Sequence, residues 1–419
     1  MDRNPDRPQV VIVGAGFGGL EAAQALADTP ADLTVIDRHN HHTFQPLLYQ
    51  VATAALSSTD IAWPVRSILR RQHNARVVMA EVTGVDADKR VVHAGALAIP
   101  YDYLVLATGV THSYFGHDEW APVAPGLKTI EDALDIRRRI LLAFERAEIT
   151  DDDTERRRLL TFVIAGGGPT GVEMAGAIAE VARHALKSDF RRIDPRSAQI
   201  VLVEGGARIL PTFPERLSRY AERSLTRMGV EVRTSAMVTE CRRDGVSLTD
   251  GRIDADTIVW AAGVTASPAA RWIGGETDKA GRLKVRSDLS VPGRPDIFAV
   301  GDTAVLADPD APGIPGIAPA AKQMGRYVGT LLAQRIAGDE VPAPFVYRHY
   351  LDLAAIGRKS AVVRRGRLQL TGYIAWLFWG VAHIYFLIGA RNRFVVAVNW
   401  LWNYLTLQRG ARVITERGA

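Results

Sequence analysis

The chain has 419 residues, with 51 Lys+Arg, 46 Asp+Glu and one cysteine. Its length predicts two or three domains, and an apolar fraction of 47% with 23% charged residues excludes a disordered or collagen-like protein. One cysteine excludes a disulfide framework, a CxxC redox pair and a cysteine-based zinc site.

The positive charge is concentrated at the C-terminal end of the chain. Residues 341–419 carry a net charge of +9 and 13 of the 31 aromatic residues, whereas residues 1–340 carry −4. Lysine and arginine bind lipid phosphates, and Trp and Tyr are common at the level of the lipid headgroups. This composition therefore favours a membrane surface over a nucleic acid as the partner. The polar start, Met1–Pro8, predicts no secretory signal and a cytosolic body.

A βαβ pattern opens the chain. The strand Gln9–Val13 leads into a glycine turn at residues 14–19 and an Ala-rich helix from about Leu20 to Ala27. The next strand, Leu33–Ile36, ends on Asp37. Glycines in such a turn allow close approach of a pyrophosphate, which the helix N-terminus attracts. The pattern predicts a dinucleotide site in which Asp37 binds ribose hydroxyls.

The same pattern returns after a charged segment, Asp151–Arg158, which predicts a solvated linker and a domain boundary. The strand Thr161–Ala165 precedes a second glycine turn at residues 166–171, and the strand Gln199–Val203 ends on Glu204. The Glu204 carboxylate would repel a 2′-phosphate, so NADH is expected over NADPH; the alternative is a solvated strand end. Two dinucleotides in one chain suggest hydride transfer between them.

Several motifs in a fixed order resemble type II NADH:quinone oxidoreductases, the alternative NADH dehydrogenases that pump no protons. They are the run His41–Thr53, the two glycine turns, Ala299-Val300-Gly301-Asp302 and the aromatic tail, and the resemblance runs from about Val10 to Thr415. It implies an α/β fold with two Rossmann-like dinucleotide-binding domains and a C-terminal helical segment on the membrane surface. FAD would occupy a discontinuous domain, and the implied boundaries are residues 1–115 and 270–340 for FAD, 116–269 for NADH and 341–419 for membrane association.

The resemblance also implies which residues hold the nucleotides. The residues expected around FAD are Gly14, Ala15, Gly16, Phe17, Gly18, Gly19, Asp37, Arg38, Gln45, Val82, Thr108, Gly109, Asp302 and Lys322. The residues expected around NADH are Gly166, Gly168, Pro169, Thr170, Gly171, Glu173, Glu204 and Gly263.

Three residues are candidates for catalysis. The resemblance implies that Glu173 helps proton transfer, which quinone reduction requires; the alternative is a first-turn glutamate that favours the helix dipole. The family's quinone motif, AQxAxQ, is matched by residues 318–323 with Pro319 in place of the first Gln, which leaves Gln323 as the quinone-side candidate. Lys359 matches a family lysine near the flavin, with a surface-loop lysine as the alternative.

Other polar residues are interpreted structurally. His39, His41 and His42 lack a suitably spaced acid or cysteine, so we predict no metal site. Cys241 has no cysteine partner, which predicts a structural role. Sulfide:quinone and disulfide reductases of similar architecture need redox cysteines, so their chemistry is excluded.

The tail contains an uncharged stretch, Leu368–Ala390, that is long enough as a helix to cross a bilayer. Its polar residues and the short second stretch, Phe394–Gln408, instead favour two helices lying in the interface. A span would also put the tail arginines on the outer side, so we expect them on lipid phosphates; they are Arg391, Arg393, Arg409, Arg412 and Arg417.

The sequence therefore predicts a monotopic FAD enzyme that oxidises NADH and reduces a membrane quinone, such as ubiquinone, without pumping protons. Residues 368–419 would attach it to anionic lipid on the cytoplasmic face of the inner membrane, and the resemblance implies a homodimer. We predict no nucleic-acid partner. Two alternatives are a soluble NADH-dependent reductase of an electron-carrier protein and a flavin-binding redox sensor.

Overall fold

The computed structural model describes residues 7–308, 313–406 and 409–414. The α-helices among them, α1 to α12 in chain order, are Phe17–Ala25, Leu48–Ala52, Ser58–Ile61, Val65–Ile68, Ile130–Ile149, Asp153–Leu159, Pro169–Glu180, Glu215–Arg227, Ala269–Ile273, Ala318–Ala337, Gly372–Phe386 and Ala390–Thr406. The strands, β1 to β25, are Gln9–Val13, Asp32–Asp37, His41–Thr43, Ala62–Pro64, Ala75–Met79, Val82–Asp86, Val91–Ala94, Leu97–Pro100, Tyr103–Leu106, Val110–His112, Thr161–Ala165, Gln199–Val203, Val230–Arg233, Val238–Arg242, Gly245–Leu248, Gly251–Asp254, Thr257–Trp260, Val264–Ala266, Leu283–Val285, Ser290–Val291, Arg294–Ala299, Ala304–Leu306, Asp352–Gly357, Ser360–Arg365 and Leu368–Thr371.

The chain forms two compact units, each assembled from separate stretches of sequence. Unit 1 consists of Met1–Thr43, Ala62–Thr111 and Val264–His349. Unit 2 consists of Phe44–Ile61, His112–Gly263 and Tyr350–Ala419. Unit 2 thus contains the segment Phe44–Ile61, the second glycine turn and the C-terminal tail. The predicted assignment of cofactors to domains stays a prediction.

A six-stranded sheet forms the core of unit 1, in the order β20-β21-β9-β1-β2-β5. Strand β1 runs parallel to β2 and β9, with Val13 opposite Ile36 and Leu106. Its apolar residues are buried, as expected for a central parallel strand that is covered on both faces. The glycine turn and Asp37 therefore meet at the carboxyl edge of the sheet.

The core of unit 2 repeats this arrangement. Strands β13-β12-β11-β17 are parallel and follow the same order as β5-β2-β1-β9, with Ala165 opposite Val203 and Trp260. Each unit adds a three-stranded antiparallel sheet, β6-β7-β8 in unit 1 and β14-β15-β16 in unit 2. The predicted return of the βαβ pattern in the second half of the chain is confirmed.

The charged segment Asp151–Arg158 is not a linker, so that prediction was wrong. It enters helix α6 within unit 2. The Asp152 side chain accepts a hydrogen bond of 2.8 Å from the Thr154 N–H and caps the helix. Acidic residues occupy the first turn and arginines the last, as the helix dipole favours, and Leu159 anchors the helix in the core.

The tail begins with the antiparallel sheet β23-β24-β25 and continues with α11 and α12. The uncharged stretch Leu368–Ala390 is thus a short strand followed by a 15-residue helix and a turn. Within the described part of the chain, no helix combines the length and apolarity needed to cross a membrane. Residues 407–408 and 415–419, including the predicted lipid contact Arg417, lie outside the described residues.

Helices α1 and α10 of unit 1 pack with their backbones in contact. A Cβ atom added at Gly325 would lie 2.0 Å from the Gly18 carbonyl oxygen, and one at Gly329 would lie 2.7 Å from the Ala22 oxygen. Lys322 pairs across the helices with Glu21 at 3.0 Å. Because α1 starts at the glycine turn, this packing fixes the direction in which its N-terminus points.

The substitution Gly325→Ala should lower the free energy of unfolding by about 3 kcal/mol, because the added methyl group meets backbone that must shift. Chemical denaturation followed by circular dichroism measures the change. Gly84→Ala is the matched control, since a Cβ there meets nothing within 4 Å. Equal stability of the two variants would contradict this account of the packing.

Candidate functional site

The first glycine turn is held by the strand ends around it. The Gly14 N–H donates to the Ile36 carbonyl at 2.7 Å, and the Ala15 N–H donates to Oδ2 of Asp37 at 2.7 Å. Burial raises the pKa of Asp37, but hydrogen bonds from His39 and Ala15 outweigh it and leave that pKa below its ordinary value. Asp37 is therefore an anion at neutral pH, as a ribose ligand should be.

Other predicted FAD residues lie at the same sheet edge of unit 1. Strands β9 and β21 are parallel neighbours, so the residues after them, Thr108, Gly109 and Asp302, come together. The Gly109 N–H donates to Oγ1 of Thr303 at 2.7 Å, which joins the two strand ends. The remaining predictions are dispersed: Val82 is buried at the start of β6, Arg38 follows Asp37, and Gln45 belongs to unit 2.

The second glycine turn has the same construction. The Gly166 N–H donates to the Val203 carbonyl at 2.7 Å. Both carboxylate oxygens of Glu204 accept backbone N–H groups at 2.6 Å, from Gly167 and Gly206. Glu204 is thus hydrogen-bonded to its turn, as Asp37 is at the matching position of unit 1, and is more than a solvated strand end. Other predicted NADH residues occupy the start of α7 or follow β17; they are Gly168, Pro169, Thr170, Gly171 and Gly263.

Helix α7 carries Glu173 to a cavity in unit 2. The helix packs closely on strand β23, since a Cβ at Gly176 would lie 1.7 Å from the Ile356 oxygen. The Ala355 N–H of that strand donates to Oε1 of Glu173 at 3.2 Å. Removal from water raises the pKa of Glu173 to about 8, against the smaller opposing effect of this hydrogen bond. Glu173 is therefore mostly protonated at neutral pH and able to give up a proton.

This Glu173 cavity has a volume of about 110 Å³. Its aromatic wall includes Trp379 of α11 and Trp400 of α12, whose ring centroids are 5.1 Å apart. Nε1 of Trp400 donates to Oε1 of Gln50 at 2.7 Å, and Nε2 of Gln50 donates to the Tyr49 hydroxyl at 3.1 Å. The cavity combines a flat apolar lining with a few hydrogen-bonding groups and one neutral acid, the usual composition of a small-molecule site.

Tyr49 and Gln50 were not predicted as site residues. They belong to the segment His41–Thr53, which resembles the family. That resemblance indicated that the segment has a functional role, but not which of its side chains face a site. Burial raises the pKa of Tyr49 well above its ordinary value, so its hydroxyl stays protonated.

A buried ion pair closes the Glu173 cavity on another side. Arg409 donates to Oε2 of Glu180 at 2.9 Å and to the Thr53 carbonyl at 2.7 Å, and only 9% of it is exposed. Oε1 of Glu180 accepts the Arg358 N–H. The sequence placed Arg409 and Arg412 on lipid phosphates, and for these two side chains the prediction was wrong. Arg412 instead pairs with Asp189.

Two predicted catalytic residues lie elsewhere. Lys359 is exposed at the turn between β23 and β24, whereas its neighbour Arg358 lines the Glu173 cavity. Gln323 belongs to unit 1, where its amide exchanges hydrogen bonds of 2.9 and 3.0 Å with the backbone of Arg348. These contacts tie the Gln323 side chain to the backbone of Arg348, and the predicted role of Gln323 in quinone binding stays a prediction.

No group of three or more His, Cys, Asp or Glu side chains within the described ranges could hold a metal ion. Cys241 is buried, and burial raises the pKa of its thiol to about 12. The thiol is not a nucleophile at neutral pH, which agrees with the structural role predicted for it.

Comparison with known proteins identifies the family. The pyridine nucleotide-disulphide oxidoreductase family matches residues 8–325. The chain is 44% identical to the type II NADH:quinone oxidoreductase NdhA of Mycobacterium tuberculosis, over 98% of this chain and 90% of the relative. It is 42% identical to the type II NADH:quinone oxidoreductase Ndh of the same organism, over 99% of this chain and 92% of the relative. The chain belongs to the type II NADH:quinone oxidoreductases.

A solved structure shows the same fold. The NDH2 of Plasmodium falciparum, in complex with NADH, superposes on this oxidoreductase with a TM-score of 0.89 and 20% identity, covering 98% of this chain and 100% of that one. The predicted family, two-domain α/β fold, oxidoreductase class and cofactors, FAD and NADH, are confirmed.

The substitution Arg409→Ala should lower the free energy of unfolding of this oxidoreductase by about 3–5 kcal/mol, because it leaves Glu180 in a poorly hydrated place without its cation. Denaturant unfolding measures the loss, and limited proteolysis should show earlier cleavage in the tail.

Arg196→Ala is the control for that measurement. Arg196 pairs with Asp194 at the surface, where both side chains are about half exposed, so its removal should leave the free energy of unfolding nearly unchanged. If Arg409→Ala lowered the free energy of unfolding no more than Arg196→Ala does, the buried ion pair would not be what stabilises the tail.

Proposed function

We propose that this type II NADH:quinone oxidoreductase reduces a membrane quinone in the Glu173 cavity, with NADH bound at the glycine turn of unit 2 and FAD at that of unit 1. The observation that carries the proposal is a neutral carboxylic acid in an aromatic-lined cavity. The cavity walls come from the helix that starts at the NADH turn and from the apolar tail.

The two turns fit dinucleotides. In each, strand-end residues hold the turn backbone, and a helix N-terminus follows, whose first N–H groups have no carbonyl partner within the helix and suit a pyrophosphate. FAD, when bound, supplies the capacity to accept a hydride from NADH and to release two electrons to quinone. Asp37 would hold the FAD ribose. Glu204 would hold the NADH ribose and disfavour the 2′-phosphate of NADPH.

The Glu173 cavity suits a quinone ring. Trp379 and Trp400 offer flat apolar faces, and the Tyr49 hydroxyl and Gln50 amide offer hydrogen bonds to carbonyl oxygens. Reduction of a quinone to a quinol takes up two electrons and two protons. Glu173 would give one of these protons and be reprotonated from water, and the other would derive from the hydride of NADH by way of reduced FAD.

Helices α11 and α12 support attachment to a membrane. They expose large apolar side chains, among them Ile374, Val381, Tyr385, Phe394 and Leu401. Arg391 and Arg393 are exposed on α12 and suit the anionic headgroups of the cytoplasmic leaflet. These faces favour a lipid surface over a soluble carrier protein as electron acceptor, and they bring a lipid-soluble quinone to the cavity. The absence of proton pumping is carried over from the family resemblance.

Rapid mixing with NADH and then with a soluble quinone analogue tests the proposal. Quinone should reoxidise the NADH-reduced wild-type enzyme, at a rate that falls as pH rises through about 8, because the Glu173 proton is then lost. Glu173→Gln should slow reoxidation roughly 10²-fold and remove this pH dependence, while flavin reduction by NADH is retained.

Glu145→Gln, an exposed acid on α5, is the matched control and should match the wild type. Protein without flavin, or reduced flavin that quinone does not reoxidise, would overturn the proposed function. A variant Glu173→Gln with wild-type rates at all pH values would refute only the role of Glu173.

The substitution Val381→Asp should weaken binding to vesicles of anionic lipid roughly 10-fold, because a side chain that is 70% exposed would no longer enter the acyl region. Vesicle sedimentation measures binding. The control is Ile149→Asp, in which an isoleucine 73% exposed on α5 is changed in the same way. Equal loss in both variants would argue against a lipid-facing tail.

A further inference from the structure

The two glycine turns share a pattern of hydrogen bonds. In each, the first glycine donates to the carbonyl at the end of the neighbouring strand, from Gly14 to Ile36 and from Gly166 to Val203. The second residue of each turn then donates to the acid that follows, as described above for Asp37 and Glu204. The turns are therefore matched, position by position, up to the carbonyl of that second residue.

At this carbonyl the turns differ. In unit 2, the Gly167 carbonyl accepts the backbone N–H of Leu210 at 2.7 Å. In unit 1, the matching Ala15 carbonyl lies 3.0 Å from Nδ1 of His42, a side chain on strand β3. A backbone donor in one unit is thus replaced by a side-chain donor in the other.

The surroundings of His42 define its state. The residue is 2% exposed, and the edge of its ring meets Phe17 at a centroid distance of 4.8 Å. A carbonyl only accepts hydrogen bonds, so Nδ1 carries the proton and Nε2 is the bare nitrogen, which has no partner among the described residues. Burial lowers the pKa of His42 to about 4, so the ring is neutral at physiological pH.

Fixing this carbonyl has a geometric consequence. The Ala15 C=O and the Gly16 N–H belong to one planar trans peptide and point in opposite directions. A hydrogen bond from His42 to the oxygen therefore turns the Gly16 N–H away from His42. Without that bond the peptide can rotate, and the N–H must be reoriented each time a ligand binds.

We propose that His42 is a positioning residue of the first dinucleotide site, where its Nδ1–H holds the Ala15–Gly16 peptide so that the Gly16 N–H is oriented for the FAD pyrophosphate. This rests on the proposed assignment of FAD to unit 1. Leu210 does the same for the second site through its backbone, so side-chain changes at His42 act on one nucleotide only.

The test measures FAD release from diluted holoenzyme by the rise in flavin fluorescence, and the KM for NADH. His42→Phe keeps a ring but removes the donor, and should release FAD roughly 10-fold faster with an unchanged KM for NADH. His42→Asn places an amide donor near the Nδ1 position and should restore slow release. His42→Gln places its amide near the Nε2 position and should not.

His41→Phe is the control, since His41 is the neighbouring residue on β3 and its Nδ1 lies 3.0 Å from Oδ1 of Asn40. The positioning role would be overturned if His42→Phe released FAD at the wild-type rate, or if His42→Asn and His42→Gln released FAD at equal rates. If His42→Phe does not fold, the Asn and Gln variants decide. A raised KM for NADH with FAD retained would instead overturn the assignment of FAD to unit 1.

Discussion

The close packing of helix α7 on strand β23 is the contact on which the site of unit 2 depends. It is possible because residue 176 is glycine, which lets the helix reach the strand backbone. Glu173, Gly176 and Glu180 are spaced by three and four residues and therefore lie on one face of the helix. The same face thus touches the strand, presents the acid to the cavity and pairs with Arg409. Since α7 begins at the second glycine turn, one rigid helix links that turn, Glu173 and the tail.

The sequence predicted the parts of the fold that local pattern determines. Buried β-branched strands, the glycines after them and the acid on the next strand are all close in sequence, and both turns were located correctly. Local pattern also misled: the charge density of Asp151–Arg158 suggested a linker, although Asp152 is a good N-cap and the arginines suit a helix C-terminus. The capping rule would have found this helix.

The features that the sequence did not predict depend on contacts between residues that are distant in the chain. Arg409 and Glu180 are 229 positions apart, so a sequence that is basic and aromatic gave no sign that this arginine is buried. The cavity residues Tyr49 and Gln50 were hidden for the same reason, since a family-like run identifies a segment and not the direction of its side chains. His42 belongs to a histidine cluster for which the sequence predicted no metal site and no specific contact, and its hydrogen bond to Ala15 forms only when β3 folds against the turn.

The aromatic wall of the Glu173 cavity comes from the helices that expose apolar side chains to the surroundings. If a bilayer covers these exposed side chains, as proposed, lipid contact and the shape of the cavity are coupled through the same two helices. By thermodynamic linkage, any free energy by which a bilayer stabilises the arrangement of Trp379 and Trp400 also strengthens binding in the cavity, and a molecule bound there strengthens attachment to the bilayer by the same factor. With the tail on a bilayer and quinone in the cavity, as proposed, the membrane attachment and the quinone site would form one binding system.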